Sequence, residues 1–241
     1  MELLPAIDLM NGQVVRLERG EAARKTIYSD EPVVWARKWE AAGGDWLHIV
    51  DLDAAFGGVS CNLEVVRAIC AAVSIPCELG GGMRDEAAIC AAFDAGVSRV
   101  ILGTRACQSV DFIREMAQKF GEDRLAIGID SRDGKVAIKG WTETSQRSAA
   151  ELAIEARAAG AKTIIATDIA TDGMFTGPNY AYLESLATQV DCNLIASGGV
   201  SSIDDLARLS TTPGVSGAII GKALYDGHIS AEDLLEFSQK K

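Results

Sequence analysis

The feature that most constrains the fold of this chain is an alternation of short β-branched runs with amphipathic stretches, repeated eight times. The strand-like runs are ELLPAID, WLHIVD, PCELG, RVILG, RLAIGID, KTIIATD, NLIASG and GAIIG. Helix-like segments lie between them, several introduced by Ser, Asp or Asn caps, for example residues 32–42, 63–73, 86–95, 149–159 and 202–209. Such alternation indicates a parallel sheet that closes on itself. We therefore predict an α/β fold, a (βα)8 TIM barrel.

The whole chain fits one such barrel. Its 241 residues match the length of single-domain α/β barrels, which commonly run to about 250 residues. No Pro/Gly/Ser-rich linker or charge block interrupts the pattern, so we expect one domain over residues 1–241. The one longer non-periodic stretch, residues 19–31, follows the first strand. It is either a mobile lid or a long surface loop, and the sequence favours neither.

The two halves of the chain are similar to each other. PAIDLMNGQVVRL matches GIDSRDGKVAIKG with Asp8 over Asp130, an offset of 122 residues. IVDLDAAFGG likewise matches ATDIATDGMF, and ELGGGMRDEAAI with VILGTRA matches IASGGVSSIDDL with AIIGKAL. Self-similarity at a half-chain period predicts two equivalent (βα)4 units, at about residues 1–122 and 123–241.

Charge and hydropathy limit the partners. A net charge of −11 argues against a nucleic-acid partner, because such binding needs a basic face. No apolar run approaches the roughly 20 residues of a membrane-spanning helix, and MELLPAIDLM lacks the basic start of a signal peptide. We expect a cytoplasmic monomer that binds a small anionic molecule through a few local groups.

Glycine clusters follow four of the predicted strands and precede helices. Without a Cβ, the backbone N–H groups of such a turn and the positive end of the next helix can converge on a phosphate. A lone glycine pair is more often an ordinary tight turn, but here two matched pairs occur. The pair after strands seven and eight stands where barrels recurrently bind phosphate. We predict one phosphate grip in each half, and hence a small substrate with a phosphate at each end. The first grip is Gly80, Gly81, Gly82, Gly103 and Thr104, and the second grip is Ser197, Gly198, Gly199, Gly221 and Lys222.

Three carboxylates are candidates for the chemistry. Asp8 and Asp130 end strands one and five, on opposite sides of the ring, so both should point into the mouth of the barrel. Asp172 follows strand six, where Gly173 allows a tight turn, and Thr167 at the end of that strand is near enough to orient a group. An isolated Asp in such a place is more often a helix cap, but the symmetric placement favours a functional role.

The remaining polar residues are given structural roles. Asp51 and Asp168 also end strands, but an apolar residue follows each, and we assign them to capping of loop amides. The two histidines, His48 and His228, are not spaced as metal ligands, and His48 is interpreted as a hydrogen-bonded core residue.

Two carboxylates of opposite protonation state suffice for an aldose-to-ketose rearrangement of an amino sugar. The chemistry therefore needs no metal or other cofactor.

Motifs over essentially the whole chain resemble one family. They are PAIDLMNGQVVRL, HIVDLDAAFG, ELGGGMR, VILGTRA, KGW, TDIATDGMFTGPN, ASGGVSS and GAIIGKAL. Together they are similar to the histidine-biosynthesis isomerases that convert N′-((5′-phosphoribosyl)formimino)-5-aminoimidazole-4-carboxamide ribonucleotide (ProFAR) to its ribulosyl isomer (PRFAR). In that family the reaction is an Amadori rearrangement of a substrate with a phosphate at each end.

The resemblance also implies roles for residues of this chain. Asp8 would be the general base that removes the sugar C2 proton, and Asp172 the general acid that opens the ribose ring. Four further residues are assigned to substrate binding, by support or by stacking: Asp130, Thr167, Trp141 and Arg16.

Two related barrels are alternatives. The cyclase that forms imidazole glycerol phosphate with ammonia from a glutaminase partner shares the half-barrel repeat and the Asp8/Asp130 pair, but it is less similar in PAIDL, VRL and GTRA. The bifunctional isomerase that also accepts phosphoribosyl anthranilate in tryptophan synthesis shares LDAAFG, SGGVSS and GKALYDG. Lys139 stands where that group is expected to carry an Arg for the anthranilate carboxylate, which disfavours dual activity.

A third alternative comes from a different class. A non-catalytic sugar-phosphate sensor would keep the two grips but would not need an acid and a base. Asp8 and Asp172 are both present, which favours an enzyme.

Overall fold

Eight parallel strands form a closed barrel in the computed structural model, which describes residues 1–18, 21–58, 60–138, 140–141 and 143–241. The strands are β1 (Glu2–Met10), β2 (Leu47–Asp51), β3 (Cys77–Gly80), β4 (Arg99–Leu102), β5 (Leu125–Arg132), β6 (Thr163–Asp168), β7 (Asn193–Ser197) and β8 (Val215–Ile220). Each strand pairs with the next in chain order, and β8 pairs with β1, which closes the ring. All eight strand-like runs of the sequence form these strands, and the predicted (βα)8 barrel is confirmed.

Helices connect the strands and pack on the outside of the barrel. They are α1 (Pro32–Ala41), α2 (Leu52–Gly57), α3 (Leu63–Ala72), α4 (Glu86–Asp94), α5 (Thr104–Gln108), α6 (Val110–Phe120), α7 (Ala149–Ala158), α8 (Tyr180–Ala187), α9 (Ile203–Thr211), α10 (Lys222–Tyr225) and α11 (Ala231–Lys240), with a 3₁₀ turn at Glu122–Arg124. Ser148, Ser202 and Ser230 begin α7, α9 and α11 with capping boxes, as the serine positions predict. None of the described helices is both long enough and apolar enough to cross a membrane.

The core has two layers because the strands of a parallel barrel are buried on both faces. In β1, Leu3 and Ile7 face the helices, whereas Leu4 and Ala6 face the barrel interior. The alternation follows from the two-residue period of a strand, and it places Asp8 next in the interior series. The interior layer consists of Leu4, Ala6, Ile101, Ala126, Ile165, Ile195 and Ile219. Burial of each Leu or Ile contributes about 1.5–3 kcal/mol.

A β-hairpin follows β1, and another follows β5. Their strands are Gln13–Glu18 with Glu21–Ser29, and Lys135–Ile138 with Glu143–Ser148. The reading of residues 19–31 as a long surface loop is therefore wrong for residues 21–29, which form a strand. This strand is paired through its backbone while residues 24–27 are exposed, so it needs no hydrophobic period. Residues 19–20 lie outside the described residues, and a lid role for the first hairpin stays a prediction.

The same backbone conformations recur in both halves. The turns 11–12 and 133–134, which join the strands of the two hairpins to β1 and β5, have the same pair of φ angles, 51° and 76°. Gly103 and Gly221, which precede α5 and α10, have φ/ψ of −103°/−105° and −105°/−109°. These positions are the ones that the sequence repeat aligns, so the repeat is present in the backbone as well as in the sequence.

Candidate active site

A cavity of about 310 Å³ opens at the carboxyl ends of the barrel strands. This is the end at which barrel enzymes carry their active sites, and the volume is that of a small-molecule pocket. Every site residue that the sequence predicted lines this cavity: Asp8, Arg16, Gly80, Gly81, Gly82, Gly103, Thr104, Asp130, Trp141, Thr167, Asp172, Ser197, Gly198, Gly199, Gly221 and Lys222.

Asp8 and Arg16 form an ion pair at the mouth of the barrel. The strand containing Arg16 runs antiparallel to β1, with Val15 opposite Asp8. This register brings Nη1 of Arg16 to 2.5 Å from Oδ2 of Asp8, and both side chains are largely buried. Burial alone would lower the pKa of the guanidinium, but the charges of Asp8 and Asp172 raise it above its ordinary value. Arg16 therefore keeps its positive charge between the two carboxylates.

Asp172 lies in the loop between β6 and α8. Its backbone N–H donates to the carbonyl oxygen of Asp168, at 3.2 Å, which turns the loop back over the end of β6. Burial raises the pKa of Asp172 to about 6, the charge of Arg16 opposes this rise, and the charges of Asp8 and Asp130 add to it. Near neutral pH a carboxyl with this pKa is protonated in a larger fraction of molecules than an ordinary aspartate, so it can donate a proton there.

Asp130 faces the same cavity from β5. Burial raises its pKa, and hydrogen bonds from Trp141 and Thr167 act in the opposite direction. The Trp141 indole Nε1 donates to Oδ2 of Asp130 at 2.8 Å. Thr167 is directly opposite Asp130 in the pairing of β6 with β5. The carboxylate therefore fixes the indole ring in the cavity, where its face can stack on a planar ligand.

One glycine of each grip, Gly81 and Gly198, is required by its surroundings. Gly81 has φ +93°, and a Cβ there would overlap the carbonyl oxygen of Asp51. Gly198 has φ +87°, and a Cβ there would lie 2.9 Å from the carbonyl oxygen of Asp168. Because an L side chain is strained at such φ angles and has no space, only glycine lets the backbone make these turns beside the cavity.

Two arginines of the cavity were missed by the sequence reasoning. Arg84 and Arg105 line the cavity, and each follows a glycine of the first grip, Gly82 or Gly103, by two residues in the sequence. The Nη2 of Arg84 donates to the carbonyl oxygen of Ala55, at 2.9 Å. Both residues lie inside the motifs ELGGGMR and VILGTRA. A cation within four residues of a grip glycine is therefore the sequence signal that could have identified them. Both arginines bring positive charge to the lining of the cavity.

His48 also lines the cavity, although the sequence reasoning placed it in the core. Its Nδ1 lies 2.6 Å from Oε1 of Glu78, and Nε of Arg99 donates to the other oxygen of that carboxylate at 2.8 Å. Burial opposes ionisation of Glu78, but these two partners lower its pKa below the ordinary value. The prediction of a hydrogen-bonded histidine is confirmed, but His48 borders the cavity and is not confined to the core.

Asp51 and Asp168 have the capping roles that the sequence predicted. Asp51 accepts from the backbone N–H of Ala54 at the start of α2, and Asp168 accepts from that of Ala170. Each is also bound by the side-chain amide of an asparagine eleven residues later, Asn62 and Asn179. Among the described residues, no group of three or more His, Cys, Asp or Glu side chains is placed to hold a metal ion.

The fold and the site together define a (βα)8-barrel protein with a carboxylate-lined pocket at the carboxyl ends of its strands. The chain belongs to the family described as histidine biosynthesis protein, whose model matches residues 2–230.

Full-length relatives support this assignment. The chain is 47% identical to a protein of Syntrophotalea carbinolica over 243 residues, with 100% of both chains covered. It is 45% identical to a protein of Syntrophomonas wolfei, also with 100% of both covered, and 46% identical to one of Opitutus terrae, with 99% of both covered. Each of the three is named 1-(5-phosphoribosyl)-5-((5-phosphoribosylamino)methylideneamino)imidazole-4-carboxamide isomerase. The family resemblance read from the sequence is confirmed.

Proposed function

We propose that this chain is the isomerase that converts ProFAR to PRFAR, an intramolecular aldose–ketose oxidoreduction in histidine biosynthesis. The observation that carries the proposal is the pair of carboxylates in one cavity: Asp172, whose pKa is raised to about 6, and Asp8, which is paired with Arg16. One can deliver a proton while the other accepts one, and the names of the full-length relatives agree with this chemistry.

The proposed reaction begins at the ribose ring. Asp172 protonates the ring oxygen, the bond from that oxygen to C1 breaks, and the nitrogen lone pair forms a C1–nitrogen double bond. Asp8 then removes the proton from C2, and the electron pair of that C–H bond forms an enol while the nitrogen regains its lone pair. Transfer of a proton to C1, with loss of the proton from the C2 hydroxyl, forms the C2 carbonyl of the ketose. Carbon 2 is oxidised and carbon 1 is reduced within one molecule, so no external oxidant or cofactor is required.

The two grips account for the ends of the substrate. Gly81 and Gly198 belong to turns that would bind one phosphate each, with Arg84 beside the first and Lys222 beside the second. Trp141, held by Asp130, would stack on the planar imidazole part. We further propose that the chain acts as a cytoplasmic monomer and that residues 1–122 and 123–241 each contribute one grip to a single barrel domain.

Dual activity on phosphoribosyl anthranilate is not favoured. The relatives are named for the imidazole carboxamide substrate alone. Lys139, on which the sequence argument depended, lies outside the described residues.

One assay tests the proposal against its alternatives. Purified protein is given ProFAR, phosphoribosyl anthranilate, or PRFAR with ammonia, and each product is followed by chromatography. We expect conversion of ProFAR only. Conversion of phosphoribosyl anthranilate would show that the protein is the bifunctional isomerase. Formation of imidazole glycerol phosphate from PRFAR would show that it is the cyclase. Tight binding of ProFAR without any turnover would establish the sensor.

A further inference from the structure

The loop between β6 and α8, which carries Asp172, is held at two points by the segment that follows β8. The Nζ of Lys222 donates to the carbonyl oxygen of Gly173 at 3.3 Å. Two residues further on, the ring of Phe175 stacks on the ring of His228, with centroids 4.0 Å apart and planes only 8° from parallel. Phe175 lines the cavity, but His228 does not. The imidazole of His228 therefore contacts Phe175 from outside the cavity.

We propose that His228 is a positioning residue, which acts by stacking on Phe175 and so holds the loop in the conformation that buries Asp172. This inference rests on the proposed role of Asp172 as the general acid. His228 itself is exposed, and Phe175 is half-buried between it and the cavity. Its effect on the reaction is therefore indirect.

The two residues of the stack, His228 and Phe175, differ in how strongly their surroundings fix their positions. On one side, Ile229 is fully buried and its backbone N–H donates to the carbonyl oxygen of Ala223 at 3.0 Å, which fixes the neighbouring His228. On the other side, the loop has no regular secondary structure, and Gly173 and Phe175 have φ of 69° and 55°. His228, whose position is fixed, can therefore set the position of the loop that contains Phe175.

We call the loop closed when Phe175 is stacked on His228 and Asp172 is buried. The stacking energy of such a pair is enough to change the fraction of molecules in which the loop is closed. A stacked aromatic pair shifts an equilibrium between two conformations by roughly two- to tenfold. In the closed loop, burial is the main cause that raises the pKa of Asp172, and Arg16, Asp8, Asp130 and Lys222 are the charged groups that face it. Loss of the stack would open the loop part of the time and return water to this carboxyl, which would lower its pKa.

The kinetic test compares three variants of the full chain. In His228→Ala the stack is lost, and we expect kcat for ProFAR to fall about two- to tenfold, with the basic limb of the pH profile moved to lower pH. His228→Phe keeps an aromatic ring in place of the imidazole, so it should retain the parent kcat and the parent limb. Met174→Ala, a neighbouring exposed residue of the same loop, is the matched control and should change neither.

A second measurement does not depend on turnover. The pKa of Asp172 is followed by carbon-13 NMR of aspartate-labelled protein, with its signal assigned from Asp172→Asn. We expect a lower pKa in His228→Ala than in the parent, and the parent value in His228→Phe. An unchanged pKa together with an unchanged kcat in His228→Ala would overturn the inference. If the parent does not convert ProFAR at all, the proposed function fails, and the NMR titration still decides whether the stack positions Asp172.

Discussion

The guanidinium of Arg16 occupies the space that a side chain at Gly221 would need. A Cβ at position 221 would overlap Nη2 of Arg16 and would lie 2.7 Å from its Cζ. At the equivalent position of the other half, Gly103, a Cβ would meet nothing within 4 Å. The hairpin after β1 therefore brings a cation directly against Gly221 of the second grip, whereas Gly103 of the first grip faces open space.

Removal of either proton-transfer carboxylate is expected to abolish most of the turnover. Asp8→Asn and Asp172→Asn should each lower kcat for ProFAR by about 10²- to 10⁴-fold with a nearly unchanged affinity, because the loss falls on proton transfer. Steady-state kinetics and calorimetric titration with ProFAR measure the two quantities. Asp191→Asn, an exposed carboxylate just before β7 at the opposite end of the barrel, is the control. Near-parental turnover in either variant would remove that residue from the mechanism.

The grip hypothesis is best tested at Gly103. Substitutions at Gly81 or Gly198 are expected to weaken binding, but they would also strain the backbone, because both residues have positive φ and little space. Gly103→Ala puts a methyl group into open space beside the cavity, so it should raise KM several-fold with little change in kcat. Gly57→Ala, also in open space but outside the cavity, should leave KM unchanged. Equal KM values for the two variants would contradict a phosphate site at the first grip.

Much of the fold and site could be predicted because both depend on local patterns. Buried parallel strands need continuous β-branched runs, and residues that end such strands must meet at one end of the barrel. Asp8 and Asp130 were found in this way, and the repeat selected the grip glycines from many others. Asp172 was found because Gly173 follows it in a strand-end loop.

The missed features depend on register and on long side chains. His48, Glu78 and Arg99 lie side by side only because β2, β3 and β4 pair in register, which no run within one strand determines. Arg84 and Arg105 stand beside grip glycines, but the direction of an arginine side chain is set by the surrounding packing rather than by its position in a motif. The strand at residues 21–29 was missed because its exposed residues lack a hydrophobic period.

The pH dependence of the reaction should have a basic limb set by Asp172. The acid must be protonated to act, and its pKa in the free protein is raised to about 6. We expect kcat/KM for ProFAR to fall about tenfold per pH unit above that value. A bound dianionic phosphate at the second grip would raise the pKa further, so the limb of kcat should lie at higher pH than the limb of kcat/KM. A kcat/KM that stays constant from pH 6 to pH 9 would contradict the role of Asp172 as the acid.

The same raised pKa makes Asp172 a source of instability at neutral pH. An unfolded chain gives a carboxyl a pKa of about 4, so between about pH 4 and pH 6 the folded state binds the proton of Asp172 more tightly than the unfolded state does. The contribution of this carboxyl to stability therefore falls as pH rises through that range and is constant above it. Asp172→Asn, whose side chain stays neutral, should raise the free energy of unfolding by about 1–3 kcal/mol at pH 7 and by almost nothing at pH 4. Urea unfolding at the two pH values measures the difference, with Asp191→Asn as the exposed control.

A stabilisation of the same size at both pH values would mean that the amide improves packing and that the charge of Asp172 carries no cost. A stabilisation that grows with pH, together with a loss of turnover, would show that the barrel tolerates a destabilising carboxyl because the reaction requires its proton.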